Sequence, residues 1–321
     1  MTRPSSVPPP VTAVLDASSR WLPLRLGEVE ELLRAQVGGH GERLAGDARM
    51  TLAAGGKRLR PLLVLLCAGE GGDERAVRAA TAIELVHMAT LVHDDVLDAA
   101  PLRRGQPTVA ATSGRERATA TGDLLFSRAF ALLAAPGDRR SIELLAEASV
   151  ALAQGELAQR RDAYDTAISA DRYLERCRLK TAKLFACACL LGRDEEALRD
   201  FGAEVGLAFQ LLDDVLDVSG PPERTGKARG TDLLDGTVTL PLIEAAAADP
   251  EIGAADLRGL DPVGAERLCD RIATTGALER VRTRALAMVR AAKERLDAAA
   301  FEPEQRRLLD LVADGVVQRY S

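Results

Sequence analysis

Asp94, Asp95 and Asp98 in "LVHDDVLDAAPLRRG" and Asp213, Asp214 and Asp217 in "GLAFQLLDDVLDVSG" spell one pattern twice, Asp-Asp-x-x-Asp. On a helix, residues four apart share a face, so Asp94 pairs with Asp98 and Asp213 with Asp217, each pair pointing one way. Carboxylates at that spacing repel unless a cation sits between them. An oxygen-only ligand set suits Mg²⁺, which keeps several waters and bridges carboxylates to substrate phosphates. A solvated acidic face explains one such motif as well as a metal does. Two copies among Leu, Val and Phe, each near the end of an apolar helix, favour the metal. A di-iron site of the ferritin type would need Glu and Glu-x-x-His ligands, and this pattern has neither.

Basic residues follow the same chain of thought. Lys57, Arg58 and Arg60 lie in "GGKRLRP", Arg103 and Arg104 follow the first acidic motif, Lys180 lies in "RLKTAKL" and Lys227 in "TGKARG". Guanidiniums bind phosphate oxygens bidentately, and lysines bind them as point charges. "TGKARG" lacks the spacing of a phosphate-binding P-loop, and no Gly-rich dinucleotide fingerprint occurs. Metal-binding acids plus two separate basic groups could hold two diphosphates, one through metal and one directly. His87 stands seven residues before Asp94, about two helical turns, hence on a similar face. An inert, hydrogen-bonded core histidine is the competing reading of it.

Something must position these groups, and the pattern says helices. Apolar periodicity of helical length recurs from about Leu24 onward, broken by Gly and Pro, and strand signals are nearly absent. A helix is expected to start near Arg60. Others are expected over Asp73 to Ala99, from "TSGRERATATGDLL" to Pro136, and over Arg139 to Arg160, Asp171 to Leu191 and Asp194 to Val218. "SGPPERTGKARGTDLLDG" reads as the longest loop. The Pro- and Ser-rich start "MTRPSSVPPP" predicts a disordered tail over 1–20, followed by one all-α domain of ten or more helices over 21–321.

Composition narrows the function classes. The chain has 321 residues, 47% hydrophobic but only 3% aromatic, so Leu, Ala and Val must build the core. A net charge of −6 and no long basic stripe argue against nucleic acid. The apolar runs are too short to span a bilayer, and no secretion signal is evident. Five cysteines without Cys-x-x-Cys spacing or nearby histidines read as buried thiols in a reducing cytoplasm.

"GGKRLRP", "ELVHMATLVHDDVLDAAPLRRGQPT", "GDLLFSRAF", "QGELAQ", "KTAKLF", "GLAFQLLDDVLD" and "GKARGTDLLDGTVTLP" occur in an order that resembles the trans-isoprenyl diphosphate synthases, the polyprenyl synthetases. The resemblance runs from about Gly55 to Pro241. It implies an all-α barrel of long helices around a deep central cavity, usually in a homodimer. It also implies head-to-tail 1′-4 condensation of isopentenyl diphosphate onto an allylic diphosphate primer, with transient membrane contact for product release. By matching motif, Asp94, Asp98 and Asp213 would bind Mg²⁺, in two or three ions, with Asp95, Asp214 and Asp217 supporting. Arg103, Lys180 and Lys227 resemble contacts to the allylic diphosphate. Lys57, Arg60, His87 and Arg104 resemble the isopentenyl diphosphate site, with Gly56 and Arg58 beside it. Thr181 and Gln210, with Lys180, match positions near the reacting allylic carbon. Thr237 stands where many relatives carry lysine, which would weaken allylic binding at most.

Small or medium side chains at Val86, Ala89 and Thr90, one to two turns before Asp94, imply a long product of C30 to C50. The alternative is a C15 to C20 farnesyl or geranylgeranyl diphosphate synthase with its floor at Phe126 or Phe130. A class I terpene cyclase is a weaker rival, since cyclases steer cations with aromatic faces and this chain has few. A non-catalytic subunit would be expected to lose the metal ligands that this chain keeps.

Overall fold

Asp73 starts the helix that carries the first acidic motif. Its backbone is extended and its side chain accepts the Arg75 backbone N–H, which satisfies one of the open donors of a helix start. The helix, α5, runs Glu74–Leu97 and is apolar on most of its circumference, the pattern of a helix buried on nearly all sides. Its end is equally specific. Asp98 is the C-cap, Ala99 adopts a left-handed φ of 49°, and the Ala100 N–H returns to the Asp95 carbonyl at 3.0 Å. That 6→1 bond is the Schellman closure, here with alanine where glycine is usual.

The computed structural model describes residues 9–39, 41–103, 105–135, 137–220 and 229–318. More than ten α-helices occur among them. Strand among the described residues is confined to Leu102–Arg103 and Gln106–Pro107, a two-residue antiparallel ladder with Arg103 opposite Gln106. The all-α expectation therefore holds. Among the described residues no helix is long and apolar enough to cross a membrane.

Backbone packing divides the chain into two units. The first comprises 1–149, 187–199 and 299–315. In it α5 packs against helices Trp21–Val37 (α2), Leu59–Ala68 (α4) and Arg115–Ala134 (α7). Gly122 of α7 lies where an added Cβ would strike the His93 ring, so glycine lets α5 and α7 approach there. The N-terminal tail expectation needs correction. Pro9–Ala17 is helical, Val14 is fully buried, and Ser19 donates to Glu304 at 3.0 Å. Prolines in a first helical turn lose no hydrogen bond, so they mark a helix start here and not disorder. Residues 1–8 lie outside the described residues.

The second unit comprises 150–186, 200–298 and 316–321. Its central feature corrects the expected single helix over Asp171 to Leu191. Ala170–Cys177 is α-helical, Arg178–Ala182 is a π-helical turn, and α-helix resumes at Lys183. Two glycines hold that turn at close quarters. A Cβ on Gly155 would lie 2.5 Å from the Lys180 nitrogen, and a Cβ on Gly206 would lie 2.8 Å from Phe185 and 3.0 Å from the Ala182 Cα. The segment expected as the longest loop holds a short helix, Thr231–Leu234.

Candidate active site

In both acidic motifs the first Asp faces outward and the second inward, because neighbours on a helix are about 100° apart. Asp94 is half-buried and Asp213 exposed, whereas Asp95 and Asp214 are buried. Asp98 is exposed and Asp217 half-buried. The outward carboxylates are hard oxygen donors that fit a Mg²⁺ ion. Among the described residues no group of three or more His, Cys, Asp or Glu side chains encloses a metal by itself. The donor set fits an ion that completes its shell with water and phosphate oxygens.

The first unit holds an open groove. Gly55, Arg58, Glu84, His87, Asp95, Arg103 and Thr108 line it, with an apolar wall that includes Met50, Met88, Leu91 and Val92. Its rim is the "GGKRLRP" loop, where Gly55 has φ 77° and Arg58 holds a left-handed φ of 49°, ψ 32° just before α4. A non-glycine residue in that region costs roughly 1–2 kcal/mol. Two carboxylates hold it there. Arg58 Nε donates to Glu30 at 2.5 Å and Nη1 to Glu84 at 2.8 Å. Burial alone would lower the Arg58 pKa, but Glu84 and Glu30 outweigh it and the net shift is upward. Arg58 therefore shapes the loop, while its neighbours Lys57 and Arg60 are half-buried beside it and Gly56 is exposed. Arg103 reaches back from the small ladder, and its Nε donates to Asp95 Oδ1 at 2.7 Å. Thr108 Oγ1 donates to the Ala100 carbonyl at 2.7 Å and ties the ladder to the end of α5.

The second unit brings together Lys180, Thr181, Gln210 and Asp214. The π turn carries Lys180 and Thr181, and π turns inside α-helices recur at functional sites. Lys180 Nζ donates to Glu156 and, at 3.3 Å, to Gln159 Oε1. Burial of Glu156 would raise its pKa, but the Lys180 and Arg160 cations prevail and hold it below the usual carboxylate range. Thr181 Oγ1 donates to Gln210 Oε1 at 2.8 Å, and Gln210 Nε2 donates to Asp214 Oδ1 at 2.8 Å. The buried Tyr173 hydroxyl donates to Asp214 Oδ2. Burial pushes Asp214 up to about 8, Asp232 and Asp213 add to that, and the Tyr173 and Gln210 donors oppose it. Both Asp214 oxygens thus accept hydrogen bonds from within the protein. Asp217 Oδ2 accepts the Asp232 backbone N–H at 3.2 Å. Thr237 is half-buried, its N–H bonded to the Asp232 carbonyl at 2.8 Å.

Arg104 and Lys227 lie outside the described residues. Sequence reasoning missed Glu84, Glu30, Glu156 and Tyr173. Glu84 carried a legible signal, since a carboxylate inside the apolar run "TAIELVHMAT" must be buried and so must have a cationic partner.

A family model described as polyprenyl synthetase matches residues 42–258. Heptaprenyl diphosphate synthase component 2 of Geobacillus stearothermophilus is 42% identical over 241 residues, 72% of this chain and 75% of that protein. The geranylfarnesyl diphosphate synthase of Natronomonas pharaonis is 35% identical over 311 residues, 87% of this chain and 90% of that one. Among solved structures, a polyprenyl synthase from Caulobacter crescentus CB15, complexed with calcium and isoprenyl diphosphate, superposes with a TM-score of 0.88. It is 33% identical and each chain covers 100% of the other.

Proposed function

The chain belongs to the polyprenyl synthetase family and is a trans-prenyl diphosphate synthase, and from that premise we propose a Mg²⁺-dependent, long-chain enzyme making C30 to C50 products. We assign Asp94, Asp98 and Asp213 to metal, with Asp95, Asp214 and Asp217 supporting. Lys57, Arg60, His87 and Arg104, with Gly56 and Arg58 beside them, take isopentenyl diphosphate, and Arg103, Lys180 and Lys227 take the allylic diphosphate. The enzyme acts as a homodimer in the cytoplasm. The repeated acidic motif, with its first carboxylate outward in both copies, is the observation that carries the reading.

The chemistry follows from what these side chains can and cannot do. The allylic carbon–oxygen bond breaks and its electron pair leaves with the diphosphate. Bound Mg²⁺ supplies neutralisation of the charge that builds on that leaving group. Lys180, held by Glu156 and Gln159, adds a positive charge for the leaving diphosphate. Thr181 and Gln210 offer oxygen dipoles to the allylic cation without attacking it. The double bond of isopentenyl diphosphate then forms the new carbon–carbon bond, and a proton leaves, with the departed diphosphate as base. Arg58, gripped by Glu30 and Glu84, keeps Lys57 and Arg60 in place to hold the second diphosphate.

The long-chain assignment rests on the residues before Asp94. Val86 and Ala89 are fully buried and small, and Thr90 turns its hydroxyl back onto the His87 carbonyl at 2.8 Å. Phe126, the alternative floor, stacks on His93 with ring centroids 5.9 Å apart. The decisive assay incubates the purified chain with Mg²⁺, labelled isopentenyl diphosphate and primers from C5 to C20, then sizes the products. Products of C30 or longer support the assignment, and a stop at C15 or C20 refutes it. No product from the chain alone, with product on adding a second subunit, would mark it as one component of two, as the name of the Geobacillus relative suggests.

A further inference from the structure

We infer that Tyr173 and Asp214 are positioning residues that decide which end of the Gln210 amide faces the reacting carbon. The inference rests on the assignment of Thr181 and Gln210 above and deepens it. Gln210 could present either its carbonyl oxygen or its NH₂ group, since the two ends have nearly the same shape. Only the oxygen would stabilise an allylic cation. An N–H dipole aimed at the same carbon would oppose the positive charge.

The hydrogen-bond chain resolves that choice. Asp214 is buried and accepts at both oxygens, from Tyr173 at Oδ2 and from Gln210 Nε2 at Oδ1. Its Oδ1 is 2.8 Å from Gln210 Nε2, so the opposite amide orientation would set two oxygens against each other at that distance. With the NH₂ group committed to Asp214, the carbonyl must lie on the far side, where Thr181 Oγ1 donates to it at 2.8 Å. Thr181 uses its one hydrogen there, so its remaining lone pairs are also available. Thr181 donates to Gln210 and Gln210 donates to Asp214, so polarity runs one way through both bonds.

Tyr173 closes the series at the other end. Its ring is fully buried, the Arg176 guanidinium lies 5.2 Å over it, and Arg176 Nη2 is anchored on the Val238 carbonyl at 2.6 Å. The phenol donates to Asp214 Oδ2, with the buried Cys177 thiol as its other hydrogen-bonding neighbour. With Oδ2 occupied by Tyr173, Oδ1 is left to accept from Gln210. Tyr173 touches no substrate. Its effect reaches the reaction only through Gln210.

The test is a double-mutant cycle in the full-length enzyme, with Mg²⁺, isopentenyl diphosphate and an allylic primer. Tyr173→Phe keeps the ring and removes one hydroxyl. It is expected to lower kcat roughly tenfold, the scale of a lost hydrogen bond to a charged group, with KM for both diphosphates and the half-saturating Mg²⁺ concentration unchanged. Gln210→Ala is expected to lower kcat on its own, and adding Tyr173→Phe to it should lower kcat no further. An unchanged kcat in Tyr173→Phe, or losses that multiply in the double variant, overturns the inference, because a merely structural tyrosine would act independently of Gln210. Asp214→Asn can turn an NH₂ group toward Gln210, and it serves if Tyr173→Phe does not fold. Its kcat loss should likewise vanish in the Gln210→Ala background, and multiplied losses count against the inference. If the unmodified chain makes no prenyl diphosphate either alone or with a second subunit, the functional assignment falls and this inference with it.

Discussion

Gly155→Ala isolates the π turn as a catalytic device. The added Cβ would lie 2.5 Å from the Lys180 nitrogen and 2.8 Å from its Cα, and ordinary contact begins at 3.4 Å. These are backbone atoms on both sides, so no flexible side chain can swing away. Relieving the clash requires a shift of about 0.9 Å between the two segments, the difference between 3.4 and 2.5 Å. Two stability terms oppose each other. Alanine favours the helix Arg139–Arg161 by about 1 kcal/mol over glycine, and overpacking costs about 1–3 kcal/mol. The net loss is about 0–2 kcal/mol, a drop of a few degrees in Tm. Activity is far more sensitive, because displacing a catalytic group by about 1 Å costs on the order of 100-fold. Lys180 and Thr181 both ride on the shifted turn. Steady-state condensation with labelled isopentenyl diphosphate, beside a thermal melt, reads the two effects separately. A variant with kcat within about twofold of the unmodified enzyme would refute the claim that turn position controls turnover.

Other consequences can be checked with simpler variants. Asp94→Ala should cut turnover by several orders of magnitude with little loss of helicity, and excess EDTA should do the same to the unmodified enzyme. Glu84→Ala leaves Arg58 half-released, so it should destabilise by about 3 kcal/mol and raise KM for isopentenyl diphosphate more than for the primer. Ala89→Phe should shorten products to C15 or C20. Glu156 has its carboxyl pKa lowered in the folded state. It therefore stabilises the fold above its unfolded value near 4.5, and that contribution fades as pH falls through the lower folded value. Thermal stability should drop below about pH 4.5, and less steeply in Glu156→Gln. Burial pushes Cys177 and Cys269 up to about 12, so neither should react with iodoacetamide at pH 8 until the protein unfolds.

Much of this arrangement was legible in the sequence, and the reasons for the gaps are physical. The acidic motifs could be read because period and repetition suffice to place Asp94 beside Asp98 on a face. The inward turn of Asp95 and Asp214 follows from helix rotation alone. What meets them does not follow, because Tyr173 arrives from 41 positions away and Arg103 from a ladder of two residues. The π turn was invisible because "RLKTA" is made of ordinary helix formers, and only contact with Gly155 and Gly206 distinguishes it. The helix at Pro9–Ala17 was misjudged because proline suits a first turn as well as it suits disorder. The burial of Glu84 could be read from its apolar run, but its partner Arg58, 26 positions away, could not.

The conformation of Arg58 has a bearing on how much variation this position can tolerate. Glycine or asparagine would relax the left-handed backbone but leave Glu84 buried without a cation. Lysine would keep the charge, yet one ammonium cannot reproduce the fork that reaches Glu30 and Glu84 together. Two requirements that separate residues could each meet are joined in one side chain. In a library of all nineteen substitutions, position 58 should therefore show no second-best residue, while Lys57 beside it accepts arginine. A site so constrained by its own neighbours would look essential in such a survey without its guanidinium touching a substrate.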